Sequence, residues 1–209
     1  HCAIKEHLPV LVISLEMTAD ELTTRLVGSV GRINQTNLAT ANLADLEWGR
    51  VAEAMETLHP TPIEIQDSNV STIGEIRAMA RRALHRHKRL GLVIVDYLQL
   101  VKGSGEGTQE NRATEVGNVS RGLKLLAGEL VCPIIALSQL NRAVEDRPDK
   151  RPKMSDIRES GSIEQDADAI LFVYRDEVYT KDACLTPGIA EIIVAKQRNG
   201  PTGTVRLAW

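Results

Sequence analysis

Apolar runs alternate along the chain with segments whose apolar residues recur at helical spacing. Three runs are nearly unbroken: Leu8–Ser14, Leu92–Asp96 and Pro133–Ser138. Runs of this length, rich in β-branched residues, are typical of strands that are buried on both faces. Four further strands are predicted at Ile63–Gln66, Ala169–Tyr174, Ala190–Ala195 and Thr204–Leu207.

Helix start signals lie between these runs. Thr18 with Glu21, and Thr72 with Glu75, have the spacing of capping boxes, which predicts helices ending near Val30 and at Lys88. A further helix is predicted from about Leu43 to Leu58. Asn111 is predicted to cap a long helix whose apolar positions are Ala113, Val116, Val119, Leu123, Leu126 and Leu130. Strands that alternate with helices predict an α/β sandwich around a mostly parallel sheet, in one domain over residues 1–209.

Composition adds three constraints to this interpretation. The net charge of -3 over 209 residues gives no general attraction to nucleic acid, so any such binding must come from local basic loops. The cysteines Cys2, Cys132 and Cys184 are odd in number and far apart, which favours reduced thiols in a cytosol over disulfides or a zinc site. No apolar run is long enough to cross a bilayer. We therefore expect a soluble, cytoplasmic protein.

Carboxylates follow two of the apolar runs, at the sheet edge where parallel folds gather functional groups. Asp96 ends the run LVIVD and suits a Mg²⁺ ion beside nucleotide phosphates, although a strand-end aspartate also caps loops. Glu16 follows the first run and could polarise a water for attack on a γ-phosphate. Taken alone, Glu16 fits better as an exposed residue at the start of a helix.

Polar residues also follow two later strands. Gln139 comes after PIIALS, and its amide could sense a γ-phosphate or be an ordinary loop residue. Lys196 and Arg198 lie two residues apart at a strand end, hence on one side. They could reach the phosphates of a neighbouring subunit, or be a solvated pair of charges.

Together these residues belong to a recognisable set of strings. The strings are SLEM (14–17), VDYLQL (95–100), ALSQLNR (136–142), DIRESGSIEQDAD (156–168), YRDEVY (174–179) and KQRNGPTGTVRL (196–207). In this order and spacing they resemble the C-terminal motor domain of the DnaB family of bacterial replicative helicases. The resemblance covers essentially the whole chain, and ESGSIEQDAD and KQRNGP are its most specific strings.

The resemblance implies a RecA-like P-loop NTPase, a three-layer sandwich that forms a hexameric ring around single-stranded DNA. It implies a 5′–3′ helicase at the replication fork that uses ATP and Mg²⁺ and meets a primase and a helicase loader. By this likeness Glu16 is the catalytic glutamate, Asp96 the Walker B metal ligand and Gln139 the γ-phosphate sensor. Lys196 and Arg198 match the finger residues that act on the adjacent subunit's nucleotide, and Arg25 matches an arginine near the nucleotide.

The same resemblance places DNA contacts at Arg158, Glu159, Ser160 and Gly161. A glycine lets the backbone approach a phosphate, and one arginine per subunit can grip a strand without reading its sequence. The loop Gly103–Arg112 is expected to face the channel as well. The charges of the basic helix Arg77–Arg89 run all round it, so it is interpreted mainly as a solvated surface or a subunit contact.

One expected motif does not occur in these 209 residues. No G-x-x-x-x-G-K-[ST] string is present, so the first sheet strand and the phosphate loop are expected to be missing. This chain alone is therefore predicted neither to hydrolyse ATP nor to unwind DNA. Two alternatives stay open: another RecA-like ATPase, such as a strand-exchange recombinase or a circadian-clock-type ring ATPase, and a non-enzymatic remnant that only binds partners or DNA.

Overall fold

The chain divides into two compact units in the computed structural model. The structure describes residues 1–67, 72–101, 109–157 and 161–209, and it leaves out the side chains of residues 109–113. The first unit comprises His1–Ser104 with Leu125–Leu137, and the second comprises Gly105–Lys124 with Ser138–Trp209. One domain over residues 1–209 stays a prediction. All three cysteines are free thiols. Among the described helices, none has the length and apolar character needed to span a bilayer.

The first unit is built on a four-stranded parallel sheet. Its strands are β1 (Val10–Ser14), β2 (Ile63–Gln66), β3 (Leu92–Asp96) and β4 (Ile134–Ala136), in the order β2-β1-β3-β4. The central pair β1 and β3 runs in register from Val10 opposite Leu92 to Ser14 opposite Asp96. Leu11, Ile13, Val93 and Val95 are fully buried, which confirms that these two apolar runs form the core of the unit.

The third apolar run is less buried than its sequence predicts. Ile135 in β4 is 49% exposed and the following Leu137 is 44% exposed. Within the described strands β4 pairs only with β3, so it is an edge strand of this sheet and not an interior one. The prediction of a strand buried on both faces is wrong here, because Ile135 and Leu137 share one face that is exposed, whereas Ile134 on the other face is partly buried.

Four helices flank this sheet in sequence. They are α1 (Ala19–Gly31), α2 (Gln35–Ala39), α3 (Asp45–Leu58) and α4 (Ile73–His87). Both predicted capping boxes are present, at Thr18 with Glu21 and at Thr72 with Glu75. The short helix α2 was not predicted from the sequence. It has no buried residue and is started by Asn34, whose side chain accepts from the N–H groups of Thr36 and Asn37.

The basic helix α4 makes ion pairs within its own unit. Arg77 and Arg81 both pair with Glu129, while Arg86 and His87 approach Glu64. Its opposite side buries Ile76, Ala80 and Ala83. The helix is thus a solvated surface in part, but four of its basic groups already have acidic partners.

The second unit begins with α5 (Gln109–Leu130), whose last turns belong to the first unit. The helix starts two residues before Asn111, so the prediction of Asn111 as its cap is wrong. Residues 109–112, which were predicted to belong to the loop Gly103–Arg112, are therefore helical. Helical spacing of the apolar positions is confirmed, because Val116, Val119, Leu123, Leu126 and Leu130 are all buried.

The three C-terminal strands form an antiparallel sheet in the second unit. They are β5 (Ala169–Tyr174), β6 (Ile189–Gln197) and β7 (Gly203–Ala208), in the order β5-β6-β7. Two short helices adjoin β5 in the sequence, α6 (Gly161–Asp166) before it and α7 (Asp176–Thr180) after it. A register shift at Ile170/Leu171 places Ile170 opposite Lys196 and Ala169 opposite Gln197. The existence of these strands was predictable, whereas their antiparallel pairing was not.

The described segment 141–157 is fixed to this sheet by charged groups. The Arg151 guanidinium donates to both carboxylate oxygens of Glu191 on β6, at 2.8 and 3.1 Å, and lies over the Tyr174 ring at 4.7 Å. Within the segment, Arg147 pairs with the buried Asp156 at 2.7 Å. These bonds hold the segment in place where regular secondary structure is limited to two 3₁₀ turns.

Candidate functional site

The carboxyl ends of β1 and β3 bring two of the predicted site residues to one edge of the parallel sheet. Ser14 is the register partner of Asp96, and the Leu15 N–H donates to the Asp96 carbonyl at 2.8 Å. The buried Ser14 hydroxyl then closes a turn, since it accepts from the Met17 N–H at 3.1 Å and donates to the Met17 carbonyl at 2.6 Å. Glu16 lies inside this turn, so its backbone is fixed beside the end of β3.

The two carboxylates differ in exposure, and their surroundings suit different tasks. Glu16 is exposed and Asp96 is partly exposed, and within the described residues neither joins an ion pair. In the described part of the chain, no cluster of three or more acidic, histidine or cysteine residues could enclose a metal. A single carboxylate such as Asp96 suits Mg²⁺, because this ion needs few protein ligands. It takes one or two carboxylates and completes its coordination shell with water and phosphate oxygens.

The start of α1 is attached to the same sheet edge through β2. Asp67, which follows β2, accepts from the Ala19 N–H at 2.8 Å. Further along α1, Arg25 is exposed and interacts with Glu21. The pKa of Glu21 lies below its usual range, first because Thr18 donates to its carboxylate and then because of the Arg25 charge. Glu21 is thus an acidic residue whose pKa the charge of Arg25 helps to lower.

Gln139 lies in the second unit, three residues beyond the end of β4, and is exposed. The finger candidates Lys196 and Arg198 lie in this unit too, at the end of β6. Sequence reasoning placed these two cations together, and the structure holds both against the segment that contains α6. Lys196 Nζ donates to the Glu164 carbonyl on α6, and Arg198 Nη1 lies 3.0 Å from Asp168 Oδ1.

Asp168 is the residue of this group that sequence reasoning missed. Its second carboxylate oxygen pairs with Lys124 on α5. Lys124 therefore holds the pKa of Asp168 below its usual range, with further contributions from the charges of Arg198 and Lys196. The sequence could have pointed to Asp168 through its position alone. It is the last residue of the specific string ESGSIEQDAD and directly precedes β5.

The predicted DNA contacts are described in part. Arg158, Glu159 and Ser160 lie outside the described residues, as does the Gly103–Gly107 stretch. Gly161 is the exposed first residue of α6, and a Cβ atom there would meet no atom within 4 Å. No neighbour within the described chain therefore requires a glycine at this position.

Carboxylates at the ends of adjacent parallel strands suit a Mg²⁺ ion and an attacking water, as nucleotide-hydrolysing motors require. The chain belongs to the DnaB-like helicase C-terminal domain family, which matches residues 1–209. It is 52% identical over 207 residues to the replicative DNA helicase DnaB of Geobacillus stearothermophilus. It is 51% identical over 207 residues to the replicative DNA helicase DnaC of Bacillus subtilis. Both matches cover 99% of this chain and 45% of the relative.

Solved structures agree with the family assignment. One solved ATPase domain superimposes with a TM-score of 0.90 at 38% identity, over 99% of this chain and 72% of that one. A DnaB-like replicative helicase, described with its interactions with primase, gives the same TM-score and identity over 98% of this chain and 49% of that one. The predicted fold class and family are confirmed, and the recombinase and clock-type alternatives are set aside. The individual residue roles stay predictions.

Proposed function

We propose that the chain is the motor part of an ATP-dependent replicative DNA helicase that moves 5′–3′ on single-stranded DNA at the replication fork. The chain spans about 45% of the length of the relatives named above, so this activity is proposed for the complete protein. The observation that supports it most is the pairing of β1 with β3, which puts Glu16 and Asp96 at one sheet edge in a chain of this family.

In this proposal ATP binds with Mg²⁺ at the edge formed by β1 and β3. Asp96 would hold the ion through its carboxylate, and Mg²⁺ would supply positive charge beside the phosphate oxygens. Glu16 orients the attacking water and accepts its proton as the water oxygen bonds to the γ-phosphorus and the bond to the leaving oxygen breaks. Gln139 senses the γ-phosphate, and Arg25 acts close to the nucleotide.

The remaining assignments concern neighbouring molecules. Lys196 and Arg198 stabilise charge on the nucleotide of an adjacent subunit, which requires a ring, and a homo-hexamer is the proposed form. Arg158, Glu159, Ser160 and Gly161 contact single-stranded DNA inside it. Primase and a helicase loader are the proposed partners, in the cytoplasm. The interaction of a structurally similar DnaB-like helicase with primase supports the first of these partners.

The test uses the complete gene product that contains these residues. It is expected to unwind a forked duplex when a 5′ single-stranded arm is present, in the presence of ATP and Mg²⁺. Glu16→Gln should lower kcat for ATP hydrolysis by roughly 10²-fold or more, because the amide cannot accept the proton. Nucleotide binding should stay nearly unchanged. Asp20→Asn, at another exposed acidic residue near the start of α1, is the matched control and should be active. Unwinding that needs a 3′ arm, or full hydrolysis by Glu16→Gln, would overturn the proposal.

A further inference from the structure

We propose that Asp168 is a positioning residue that holds the finger residue Arg198 and connects it to the segment that follows the DNA-contacting positions. This inference rests on the proposed function, since it concerns the same reaction. It assigns a task to a residue that the proposed function leaves without one. Its basis is the arrangement of Asp168, Arg198, Lys124, Lys196 and Glu164 in the second unit.

Asp168 contacts both the backbone and the side chain of Arg198. The Asp168 carbonyl accepts from the Arg198 N–H at 2.8 Å, which fixes the backbone where β6 ends. The Asp168 carboxylate faces the guanidinium at 3.0 Å, which limits the rotamers of a long and otherwise adaptable side chain. A finger residue must be placed accurately, because misplacement by about 1 Å can cost two orders of magnitude in rate.

The carboxylate of Asp168 is itself fixed by Lys124. Lys124 on α5 pairs with Oδ2 while Arg198 faces Oδ1, so each oxygen has its own cation. Asp168 is ionised at neutral pH like any exposed aspartate, and the two cations lower its pKa further. The Asp168 carboxylate lies between two cations, Lys124 on α5 and Arg198 at the end of β6, and its orientation is therefore defined. This orientation in turn limits where the Arg198 guanidinium can lie.

The second finger residue is attached to the same segment. Lys196 donates to the Glu164 carbonyl on α6, four residues before Asp168. Both finger residues are therefore held by residues 164–168, and this segment begins three residues after Gly161. A displacement of Gly161 on DNA binding would reach the finger residues through α6. This short connection explains how occupancy of the DNA site could change the rate of hydrolysis in the adjacent subunit.

If the ion pair of Asp168 with Arg198 only stabilised the fold, its loss would change the melting temperature and not specifically the rate of hydrolysis. Asp168 is 57% exposed and Arg198 is 54% exposed, and ion pairs at such positions contribute little to folding because water and salt screen them. Loss of the pair should therefore hardly move the melting temperature. If Asp168 positions the finger, the same loss should lower the hydrolysis rate strongly.

The first experiment compares variants of the complete gene product that contains these residues. Asp168→Asn, which keeps the size of the side chain, is expected to lower DNA-stimulated kcat about tenfold or more, a fraction of the 10³–10⁵ that a finger contributes. KM for ATP and the melting temperature should stay close to wild type. Lys124→Met should give a smaller loss in the same direction, and Asp182→Asn, at an exposed aspartate of the second unit, should have no effect.

The second experiment mixes subunits, because a finger acts on the neighbour's nucleotide. Rings of Glu16→Gln subunits lack a base but keep a positioned finger, and rings of Asp168→Asn subunits have the reverse defect. Mixed rings contain sites in which an intact base meets an intact finger, so their activity should exceed the sum of the two separate activities. A structural defect in Asp168→Asn would not be rescued in this way.

The outcomes separate the two proposals. If Arg198→Ala is fully active, the finger assignment in the proposed function fails, and the role of Asp168 fails with it. If Arg198→Ala is inactive but Asp168→Asn has wild-type kcat, only the role of Asp168 is overturned. Absence of complementation in mixed rings, or a large fall in melting temperature for Asp168→Asn, also overturns it.

Discussion

At the scale of single residues, burial separates two carboxylates that both face arginine. The Glu191 side chain is 11% exposed and receives two hydrogen bonds from Arg151, whereas Asp168 is 57% exposed. Removing a cation from a buried carboxylate leaves a charge without its partner, and this is costly. Removing a cation from an exposed carboxylate costs little, because water solvates the remaining charge. The Glu191 pair is therefore expected to stabilise the fold, and the Asp168 pair to position a side chain.

Arg151→Met should lower the free energy of unfolding at neutral pH by about 1–2 kcal/mol. The value is below that for a fully buried pair because the Arg151 side chain is 43% exposed. Arg151 holds the pKa of Glu191 below its usual value of 4.5. The stabilisation is therefore present above about pH 4.5 and is lost as the pH falls through the lower pKa of the folded state. Urea unfolding at several pH values should show the difference between wild type and variant narrowing in acid.

Arg206→Met is the matched control for that measurement. Arg206 also approaches Glu191, at 3.7 Å, but its side chain is 69% exposed. Its removal should change the free energy of unfolding by less than about 0.5 kcal/mol. Equal losses in the two variants, or a loss for Arg151→Met that does not depend on pH, would contradict the burial argument.

The sequence predicted those site residues whose positions follow from strand ends. Glu16 and Asp96 follow apolar runs that pair side by side, so the pattern of the runs brought them together. Asp168 was missed because its task depends on Lys124 and Arg198, which lie 44 residues before it and 30 residues after it in the sequence. No local spacing indicates such a meeting, which depends on the packing of α5 and on the pairing of β5 with β6.

At the scale of elements, helix caps and strand bounds were predictable from the sequence, whereas the packing and pairing of the strands were not. Both capping boxes and the bounds of β2 and β3 agree with the sequence, because a cap is a contact within four residues and an apolar run is continuous. The exposed face of β4 depends on what packs against it, and the antiparallel pairing of β6 with β5 and β7 depends on which strands lie alongside. An apolar run carries neither kind of information. The helix α2 has only five residues and none of them is fully buried, so it offers no apolar periodicity to detect.

The helix α3 offers a test of capping at the element scale. Its N-cap is Ala44, whose backbone angles of φ -72° and ψ 158° suit a cap but whose side chain has no acceptor. Glu47 already accepts from the Ala44 N–H at 2.9 Å. Ala44→Ser should complete the capping box and raise the free energy of unfolding by about 0.5–1 kcal/mol. Thermal or urea unfolding of the purified chain measures this.

Ala52→Ser, at an exposed position inside α3, is the comparison for the capping test. Serine has the lower helix propensity there and no free N–H group to accept from, so this variant should be slightly less stable than wild type. A rise in stability for Ala52→Ser equal to that for Ala44→Ser would show that the effect does not come from the cap.

At the scale of the whole molecule, the candidate hydrolytic residues are present while one nucleotide-binding motif is not. The two units hold Glu16 and Asp96 in one case and Gln139, Lys196 and Arg198 in the other. The G-x-x-x-x-G-K-[ST] string, whose backbone N–H groups and lysine hold phosphates, does not occur in the 209 residues. We therefore expect these 209 residues alone to bind ATP weakly.

The polypeptide of these 209 residues alone should release no phosphate from ATP above background. The carboxylates at the sheet edge can activate water and hold Mg²⁺, but without a phosphate cradle the substrate is not held in line for attack. Phosphate release would be measured with and without single-stranded DNA, and the complete gene product serves as the positive control. Sustained hydrolysis by the 209-residue chain that disappears in its Glu16→Gln variant would contradict this prediction.

The order of strands in the parallel sheet also affects how the chain is made. The strand β1 lies between β2 and β3, yet both partners are synthesised after it, and β3 ends only at Asp96. At translation rates of roughly 5–20 residues per second, Val10–Ser14 leaves the ribosome roughly 4–16 s before its second neighbour is available. During this interval the most buried strand of the first unit has unpaired edges, which exposes it to pairing with other nascent chains.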